Sequence, residues 1–152
     1  SFFMRQHWVY QLLFCQLLLL EVIKKLIHPM NNETTLIHKL IIGNIDEIKN
    51  PGCREFSAGD SDWPFKGFIV RQGEDIFAYQ NYCMHAGHPL NWKPDSFLTA
   101  DKSKIICASH GAIYDIASGE CVAGPCRGKK LNSIKCGVYD GLITVFIPIN
   151  VL

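Results

Sequence analysis

From residue 36 onward, the chain alternates short apolar runs with turn-forming residues. This pattern predicts β-strands over residues 36–42, 54–57, 67–71, 76–80, 104–108, 113–116, 121–122, 133–139 and 142–148. The segments Gln72-Gly73-Glu74-Asp75 and Tyr139-Asp140-Gly141 predict hairpin turns between neighbouring strands. No stretch after residue 30 has a clear helical period, so we expect an all-β, antiparallel sandwich or barrel.

The first 29 residues form an apolar extension that differs from the rest of the chain. Residues 8–20 are mostly apolar, and charged residues follow at Glu21 and Lys24. This run is shorter than the roughly 20 apolar residues that a membrane-spanning helix needs. Three interpretations stay open: a packed amphipathic helix, a weak membrane-surface anchor, or translated sequence upstream of a start at Met30. We favour the third interpretation, which gives a domain over residues 30–152. We therefore do not expect the membrane to be a partner, although the anchor interpretation leaves membrane binding open.

The composition is that of an ordinary globular protein. The 152 residues are 48% hydrophobic and 19% charged, with a formal net charge of +1. A length of this size predicts one domain, or one domain with an appendage. A nearly neutral chain gives no electrostatic reason to expect binding to nucleic acid.

Four potential metal ligands follow two of the predicted strands. Cys83 and His85 come after the strand 76–80, and Cys107 and His110 lie at the end of the strand 104–108, giving Cys-x-His-x(21)-Cys-x-x-His. Thiolate and imidazole are ligands for both zinc and iron–sulfur centres. Two loops at one end of a rigid sheet can meet at a shared metal. A structural zinc site is therefore one alternative, although zinc fingers usually present a cysteine pair followed by a histidine pair.

The remaining five cysteines do not form a regular disulfide framework. They are an odd number without repeated spacing, at Cys15, Cys53, Cys121, Cys126 and Cys136. We expect free thiols and a cytoplasmic protein. Cys121 and Cys126 flank a Gly-Pro turn, and their spacing also allows them to pair.

The residues around the four ligands resemble the Rieske iron–sulfur family. The resemblance covers residues 36–147. It rests on the segments 83–87 and 107–111, on Pro89-Leu90, on residues 113–115 and on Gly119 and Gly124-Pro125. Residues 91–101 make the spacer longer than the commonest family spacing, and we interpret them as an inserted loop.

The resemblance implies a Rieske-type [2Fe-2S] cluster as the cofactor. Cys83 and Cys107 would hold an inner iron, and His85 and His110 would hold an outer iron near solvent. Exchanging two thiolates for two neutral imidazoles removes negative charge around the irons, so the cluster accepts an electron more easily than an all-thiolate one.

The resemblance also implies a Rieske-like antiparallel β-sandwich or barrel with a cluster-binding subdomain of two ligand loops and a proline loop. Gly124 and Pro125 would belong to the proline loop, which shields the cluster. The hydroxyl of Tyr114 is expected to reach a ligand sulfur. Gly87 and Gly111 are expected at positive φ in tight turns, with their amides directed at the sulfides.

Three positions depart from the high-potential branch of the family. That branch has an additional cysteine in each ligand loop and forms a disulfide between them, whereas this chain has His88 and Ser109 there. Ala112 stands where that branch has a serine that donates to a bridging sulfide. Fewer hydrogen bonds to sulfur lower the potential, so we expect a value in the lower half of the range of about −150 to +300 mV. We interpret His88 as a loop residue and not as a ligand.

These features favour a ferredoxin-like one-electron carrier between a reductase and a terminal oxidoreductase such as an oxygenase. The alternatives are an accessory Rieske subunit of a larger redox complex and a zinc-binding interaction module. We expect no catalysis by the chain alone, because the other histidines lack the spacing of a mononuclear iron site. Arg127, Lys129 and Lys130 are either a solvated turn or a basic rim that attracts an acidic partner.

Overall fold

A computed structural model describes residues 36–152. The extension over residues 1–29 lies outside the described residues. The described part contains nine strands, with bounds β1 Ile37–Asn44, β2 Gly52–Ala58, β3 Phe65–Gln72, β4 Asp75–Gln80, β5 Ile105–Ile106, β6 Ile113–Tyr114, β7 Cys121–Ala123, β8 Ser133–Tyr139 and β9 Leu142–Pro148. Short 3-10 helices follow β1 and β9, at Ile45–Glu47 and Ile149–Val151. None of the helices within this part is long and apolar enough to span a bilayer.

The strands form two antiparallel sheets. Six strands make the larger sheet, in the order β1-β9-β8-β4-β3-β2, and β5, β6 and β7 make the smaller one. The expected all-β fold is confirmed. The predicted hairpins are also present, because β3 pairs with β4 and β8 pairs with β9 in continuous antiparallel register.

The middle of β3 is buried on both faces because two apolar cores lie on opposite sides of it. Phe68 and Val70 belong to the core under the smaller sheet, whereas Phe65 and Ile69 belong to the core on the other side. Successive side chains of a strand point to opposite faces, so a strand between two cores appears as a continuous apolar run.

The smaller sheet is fixed to the larger one by polar and aromatic contacts. The hydroxyl of Tyr79, on β4, donates to the carbonyl oxygen of Ile116 at 2.7 Å. Burial raises the pKa of Tyr79 to about 12, so the hydroxyl remains a donor. Phe97, from the predicted inserted loop, stacks on Phe68 with ring centroids 4.1 Å apart. The inserted loop therefore contributes to the core under the smaller sheet.

Two strands are shorter than the sequence predicts. The strand expected over residues 104–108 is limited to Ile105–Ile106, and that over 113–116 is limited to Ile113–Tyr114. Cys107 and Ala108 have left the ladder because their amides donate to the carbonyls of Ala112 and Leu90, at 2.9 and 2.7 Å. β5 therefore ends at Ile106, although the apolar pattern continues through Ala108.

Candidate metal centre

The first ligand loop follows β4 and is closed by its own backbone. The amide of Cys83 donates to the carbonyl of His88, and the amide of Gly87 donates to the carbonyl of Cys83, both at 2.8 Å. Gly87 has φ +75°, and a Cβ at this residue would lie 2.7 Å from the hydroxyl of Tyr82. The turn therefore favours glycine for its backbone conformation, and a larger residue would also displace the Tyr82 side chain.

The second ligand loop has the same hydrogen-bonding frame. The amide of Cys107 donates to the carbonyl of Ala112 at 2.9 Å, five residues later, and the amide of Gly111 returns to the carbonyl of Cys107 at 3.0 Å. Gly111 has φ +67°, as expected from its sequence position. The two loops thus share one backbone frame, although the histidine is two residues after the cysteine in the first and three in the second.

The four predicted ligands come together as two pairs. Cys83 and Cys107 are fully buried and interact through their side chains. His85 and His110 are exposed, with ring centroids 4.9 Å apart and ring planes at 87°. Within residues 36–152, no group of three or more His, Cys, Asp or Glu side chains is arranged so that it could hold a single metal ion. The arrangement is a buried thiol pair beside a solvent-facing imidazole pair.

Two backbone amides donate to each of the two predicted ligand sulfurs, from equivalent positions in the loops. Burial opposes ionisation of Cys83, but hydrogen bonds from Tyr114 and from the amides of His85 and Ala86 outweigh it, so the pKa of Cys83 is lowered. Burial raises the pKa of Cys107, against the effect of hydrogen bonds from the amides of Ser109 and His110. In each loop the donors are two and three residues after the cysteine.

The glycine amides have a different role from the expected one. We expected Gly87 and Gly111 to direct their amides at the sulfides, but both amides donate to the carbonyls of the ligand cysteines. The expectation was wrong because these bonds close the turns. The amides at the second and third positions after each cysteine are the ones left to face sulfur.

Tyr114 connects a ligand sulfur to a second pair of thiols. Its hydroxyl lies 3.5 Å from Cys83 Sγ and 3.1 Å from Cys126 Sγ, and Cys126 Sγ lies 3.3 Å from Cys121 Sγ. Burial, followed by the contacts with Cys126 and Cys83, raises the pKa of Tyr114. The predicted contact of Tyr114 with the sulfur of Cys83, a proposed ligand, is present.

The proline loop packs against the second ligand loop. Gly124 has φ +97°, and a Cβ at this residue would lie 2.8 Å from the Cα of Ala112. Pro125 is exposed, and the side chain of Lys129 donates to the carbonyl of Met84 at 3.3 Å. The loop containing Gly124 and Pro125 therefore contacts both ligand loops.

His88 and Ser109 face each other across the two ligand loops. Ser109 Oγ lies 3.4 Å from His88 Nδ1, and the ring centroid of His88 lies 5.7 Å from that of His110. These are the positions at which the high-potential branch was expected to have its disulfide. A polar contact therefore joins the loops at the place where two cysteines would otherwise do so.

Sequence reasoning missed Asn81, which lies between β4 and the first ligand. Asn81 is almost fully buried; its Oδ1 accepts from the amide of Leu90, and its Nδ2 donates to Asn91 Oδ1, both at 2.8 Å. Asn91 in turn donates to Glu55 Oε2 at 2.7 Å. The available signal was an amide side chain at a strand end, two residues before the first cysteine.

The family model of the Rieske [2Fe-2S] domain matches residues 38–141. The chain belongs to the Rieske [2Fe-2S] domain family. The domain binds a two-iron, two-sulfide cluster, and the donor set found here fits it: two buried thiols on one side and two exposed imidazoles on the other. No curated protein matches the sequence.

Solved structures with the Rieske fold include components of carbazole 1,9a-dioxygenases. The ferredoxin of the enzyme from Nocardioides aromaticivorans IC177 has 24% identity and a TM-score of 0.56, over 72% of this chain and 97% of that one. The terminal oxygenase from Novosphingobium sp. KA1 has 20% identity and a TM-score of 0.59, over 72% of this chain and 30% of that one. The Rieske fold of this chain thus corresponds to nearly all of the ferredoxin and to part of the oxygenase.

Proposed function

We propose that this chain is a one-electron carrier of the Rieske ferredoxin type, working between a reductase and a terminal oxidoreductase such as an oxygenase. The proposal depends on one observation: a buried thiol pair lies beside a solvent-facing imidazole pair. The family's cluster supplies reversible one-electron chemistry when bound. The chain holds it in a rigid frame and leaves the imidazoles open to a partner.

In this proposal, Cys83 and Cys107 hold the inner iron, and His85 and His110 hold the outer one. Tyr114, Gly124 and Pro125 complete the cluster surroundings. The shared frame of the two loops supports this assignment, because it places each cysteine inside and each histidine outside. We also propose a domain over residues 30–152, because the described fold and the four proposed ligands lie within these bounds.

Metal and sulfide analysis of anaerobically purified protein tests the assignment. We expect two irons and two acid-labile sulfides per chain, a brown visible spectrum and a reduced-state EPR signal. His85→Ala and Cys107→Ser should lose these, whereas His88→Ala, which changes a non-ligand imidazole beside the site, should keep them. One zinc per chain in a colourless protein would refute the electron-carrier function.

We also propose that the partner docks on the face that presents His85 and His110. One solved structure similar in fold is a complex of reduced oxygenase and oxidized ferredoxin in carbazole 1,9a-dioxygenase, with 19% identity and a TM-score of 0.56. Redox encounters typically use small, transient interfaces. Free cysteines throughout residues 36–152 support our further proposal of a cytoplasmic location.

We further propose that Arg127, which is exposed and follows the proline loop, offers a positive charge to an acidic partner. Lys130 lies 3.8 Å from Glu120, and Lys129 donates to Met84, so both have acceptors within the chain. Oxidation of the reduced protein by anionic hexacyanoferrate(III) should slow as salt increases, and Arg127→Glu should weaken that dependence. A cationic cobalt oxidant is the control. Equal salt responses with both oxidants would remove the electrostatic role.

A second candidate is a Rieske subunit that works inside a larger redox assembly. The observation that favours it is the oxygenase match, in which the same fold covers only 30% of a longer chain. Purification from its native source would distinguish the two. An isolated carrier elutes alone, whereas a subunit co-elutes with a second iron-containing chain at fixed stoichiometry.

A further inference from the structure

Two cysteines that flank the Gly124-Pro125 turn lie in sulfur–sulfur contact outside the proposed ligand set. Cys121 begins β7, Cys126 follows Gly124-Pro125, and their Sγ atoms are 3.3 Å apart. Both are nearly fully buried, with 1% and 3% of their surface exposed. The proposed electron carrier uses neither thiol as a ligand.

The backbone already holds these two residues in a closed loop. The carbonyl of Cys121 accepts from the amide of Gly128 at 2.8 Å, and the amide of Cys121 donates to the carbonyl of Lys129 at 2.7 Å. The amide of Lys129 donates to the carbonyl of Cys126 at 3.0 Å. A disulfide has an S–S length of about 2.05 Å, so bonding needs the sulfurs to approach by little more than an ångström. The proposal requires this movement to come from rotation of the two side chains within the closed loop.

We propose that Cys121 and Cys126 form a reversible disulfide in the proline loop, and that its state reaches the ligand Cys83 through the hydroxyl of Tyr114. The hydroxyl carries one proton and has two sulfur neighbours, Cys126 at 3.1 Å and Cys83 at 3.5 Å. The reduced Cys126 thiol competes for that proton. In the disulfide, Cys126 is a weaker acceptor, and the hydroxyl donates to Cys83.

A small-molecule disulfide such as glutathione disulfide is the oxidant. The thiolate of one cysteine attacks it and releases one glutathione, leaving a mixed disulfide. The second cysteine then attacks the protein sulfur of this mixed disulfide and releases the second glutathione. The protein loses two electrons and two protons, and the two released glutathione thiols carry them. Excess glutathione reverses both exchanges.

Access and reactivity make this exchange slow at neutral pH. Burial, followed by the contact with Cys126, raises the pKa of Cys121 to about 11, so its thiolate is scarce. The intervening residues 122–125 are exposed, and a local opening of the loop therefore admits a small disulfide. Incubation over hours is the appropriate time scale.

Differential alkylation of the cluster-loaded protein tests the disulfide directly. After incubation with glutathione disulfide, free thiols are blocked in denaturant, disulfides are reduced, and the newly released thiols receive a second label. Tandem mass spectrometry should find the second label on Cys121 and Cys126 together, and the mass of the unreduced peptide should show the loss of two hydrogens and no added glutathione. The visible spectrum, recorded before denaturation, reports cluster retention separately, so failure of the proposed function is distinguishable. Absence of a Cys121–Cys126 link would overturn the proposal.

Matched variants show whether the pair is specific. Cys136 is half-buried and its Sγ donates to the carbonyl of Ile76 at 3.3 Å, so Cys136→Ser should leave the pairing unchanged. Cys121→Ser should abolish it and leave Cys126 as a free or glutathionylated thiol. If a variant fails to fold, differential alkylation of the unmodified protein still decides whether Cys121 and Cys126 pair.

Voltammetry tests the coupling to Cys83, and this part rests on the proposed function. The potential should shift to a more positive value when the disulfide forms, and glutathione should reverse the shift. Cys121→Ser and Tyr114→Phe should each remove the response, whereas Cys136→Ser should keep it. A linked disulfide without a change in potential would overturn the coupling.

Discussion

Asn81 Oδ1 accepts a hydrogen bond from the backbone amide of Leu90 at 2.8 Å, so one side chain joins the two ends of the first ligand loop. Both residues are buried, and the side-chain amide of Asn81 also donates to Asn91. The position of Cys83 and His85 therefore depends on a residue that ligates nothing.

Replacing Asn81 with alanine should loosen that loop. The amide of Leu90 would be left buried without a partner, which costs about 2 kcal/mol. We expect Asn81→Ala to lower iron and sulfide content and to hasten loss of the visible band on heating. The matched control is Asn132→Ala, since Asn132 is exposed and donates to Gln80 Oε1 at 2.9 Å. Equal heat sensitivity of the two variants would contradict the positioning role.

Removing the hydroxyl of Tyr114 should lower the reduction potential. A hydrogen bond to a ligand sulfur favours the reduced, more negative state, and a loss of about 1 kcal/mol corresponds to roughly 40 mV for one electron. Tyr114→Phe should therefore show a potential lower by about that amount in voltammetry. Tyr79→Phe is the control, because its hydroxyl bonds to the carbonyl of Ile116 and should affect stability alone. An unchanged potential in Tyr114→Phe would count against a Tyr114–Cys83 hydrogen bond.

Substitutions at two glycines in and after the proline loop should distinguish the effect of steric contact from that of backbone strain. Gly124 and Gly128 have φ +97° and +83°, but an added Cβ meets the Cα of Ala112 at Gly124 and nothing within 4 Å at Gly128. Gly128→Ala should cost about 1 kcal/mol from φ alone. Gly124→Ala should cost roughly 2 kcal/mol more from overpacking. The visible absorption of Gly124→Ala should also bleach faster in air, because the proline loop would move away from the second ligand loop. Similar bleaching rates for both variants would show that this contact does not protect the site.

Asp115 should stabilise the fold except at low pH. The amide of Ser118, followed by the ammonium of Lys104 at 3.0 Å and the hydroxyl of Ser118, lowers the pKa of Asp115 from 3.8 to about 2. Because the folded-state pKa is depressed, the stabilisation is complete above about pH 4 and is lost as the pH falls toward 2. After discounting for solvent screening of this half-exposed pair, we expect about 1 kcal/mol.

Thermal unfolding of Asp115→Asn tests this pH dependence. The variant should melt about 4 °C below the unmodified protein at pH 7 and pH 5, with a gap that narrows below pH 4. Asp62→Asn, which changes an exposed aspartate, should show no gap. A gap that stays constant down to pH 2.5 would assign the effect to packing and not to charge.

The local chemistry of the sequence was enough to predict much of the sheet and to select the four proposed ligands, which the fold brings together as a thiol pair and an imidazole pair. The bounds of β8 and β9 agree with the prediction, because the alternation in β8, the apolar run of β9 and the Asp-Gly turn between them are local signals. The four residues could be proposed as ligands because few residue types bind metals and their spacing places them on two loops. The contact of Tyr114 with Cys83 followed from the family resemblance.

Long-range contacts were beyond the sequence. Phe97 looked like part of an inserted loop, but it is fully buried against Phe68, nearly thirty residues earlier. Asn81 gave no sign of its partner at Leu90. The ends of β5 could not be predicted either, because an apolar run does not show where the backbone leaves a strand to bond within a loop.

The common frame of the two ligand loops separates donor identity from folding. Each frame is closed by hydrogen bonds among backbone atoms, and its histidine lies at the surface with no part in the apolar core. Exchanging either imidazole for another donor is therefore a change at the periphery that the β-scaffold can tolerate. The reduction potential and the stability of the fold can therefore change independently, because side-chain atoms of the loops set the first and their backbone atoms contribute to the second.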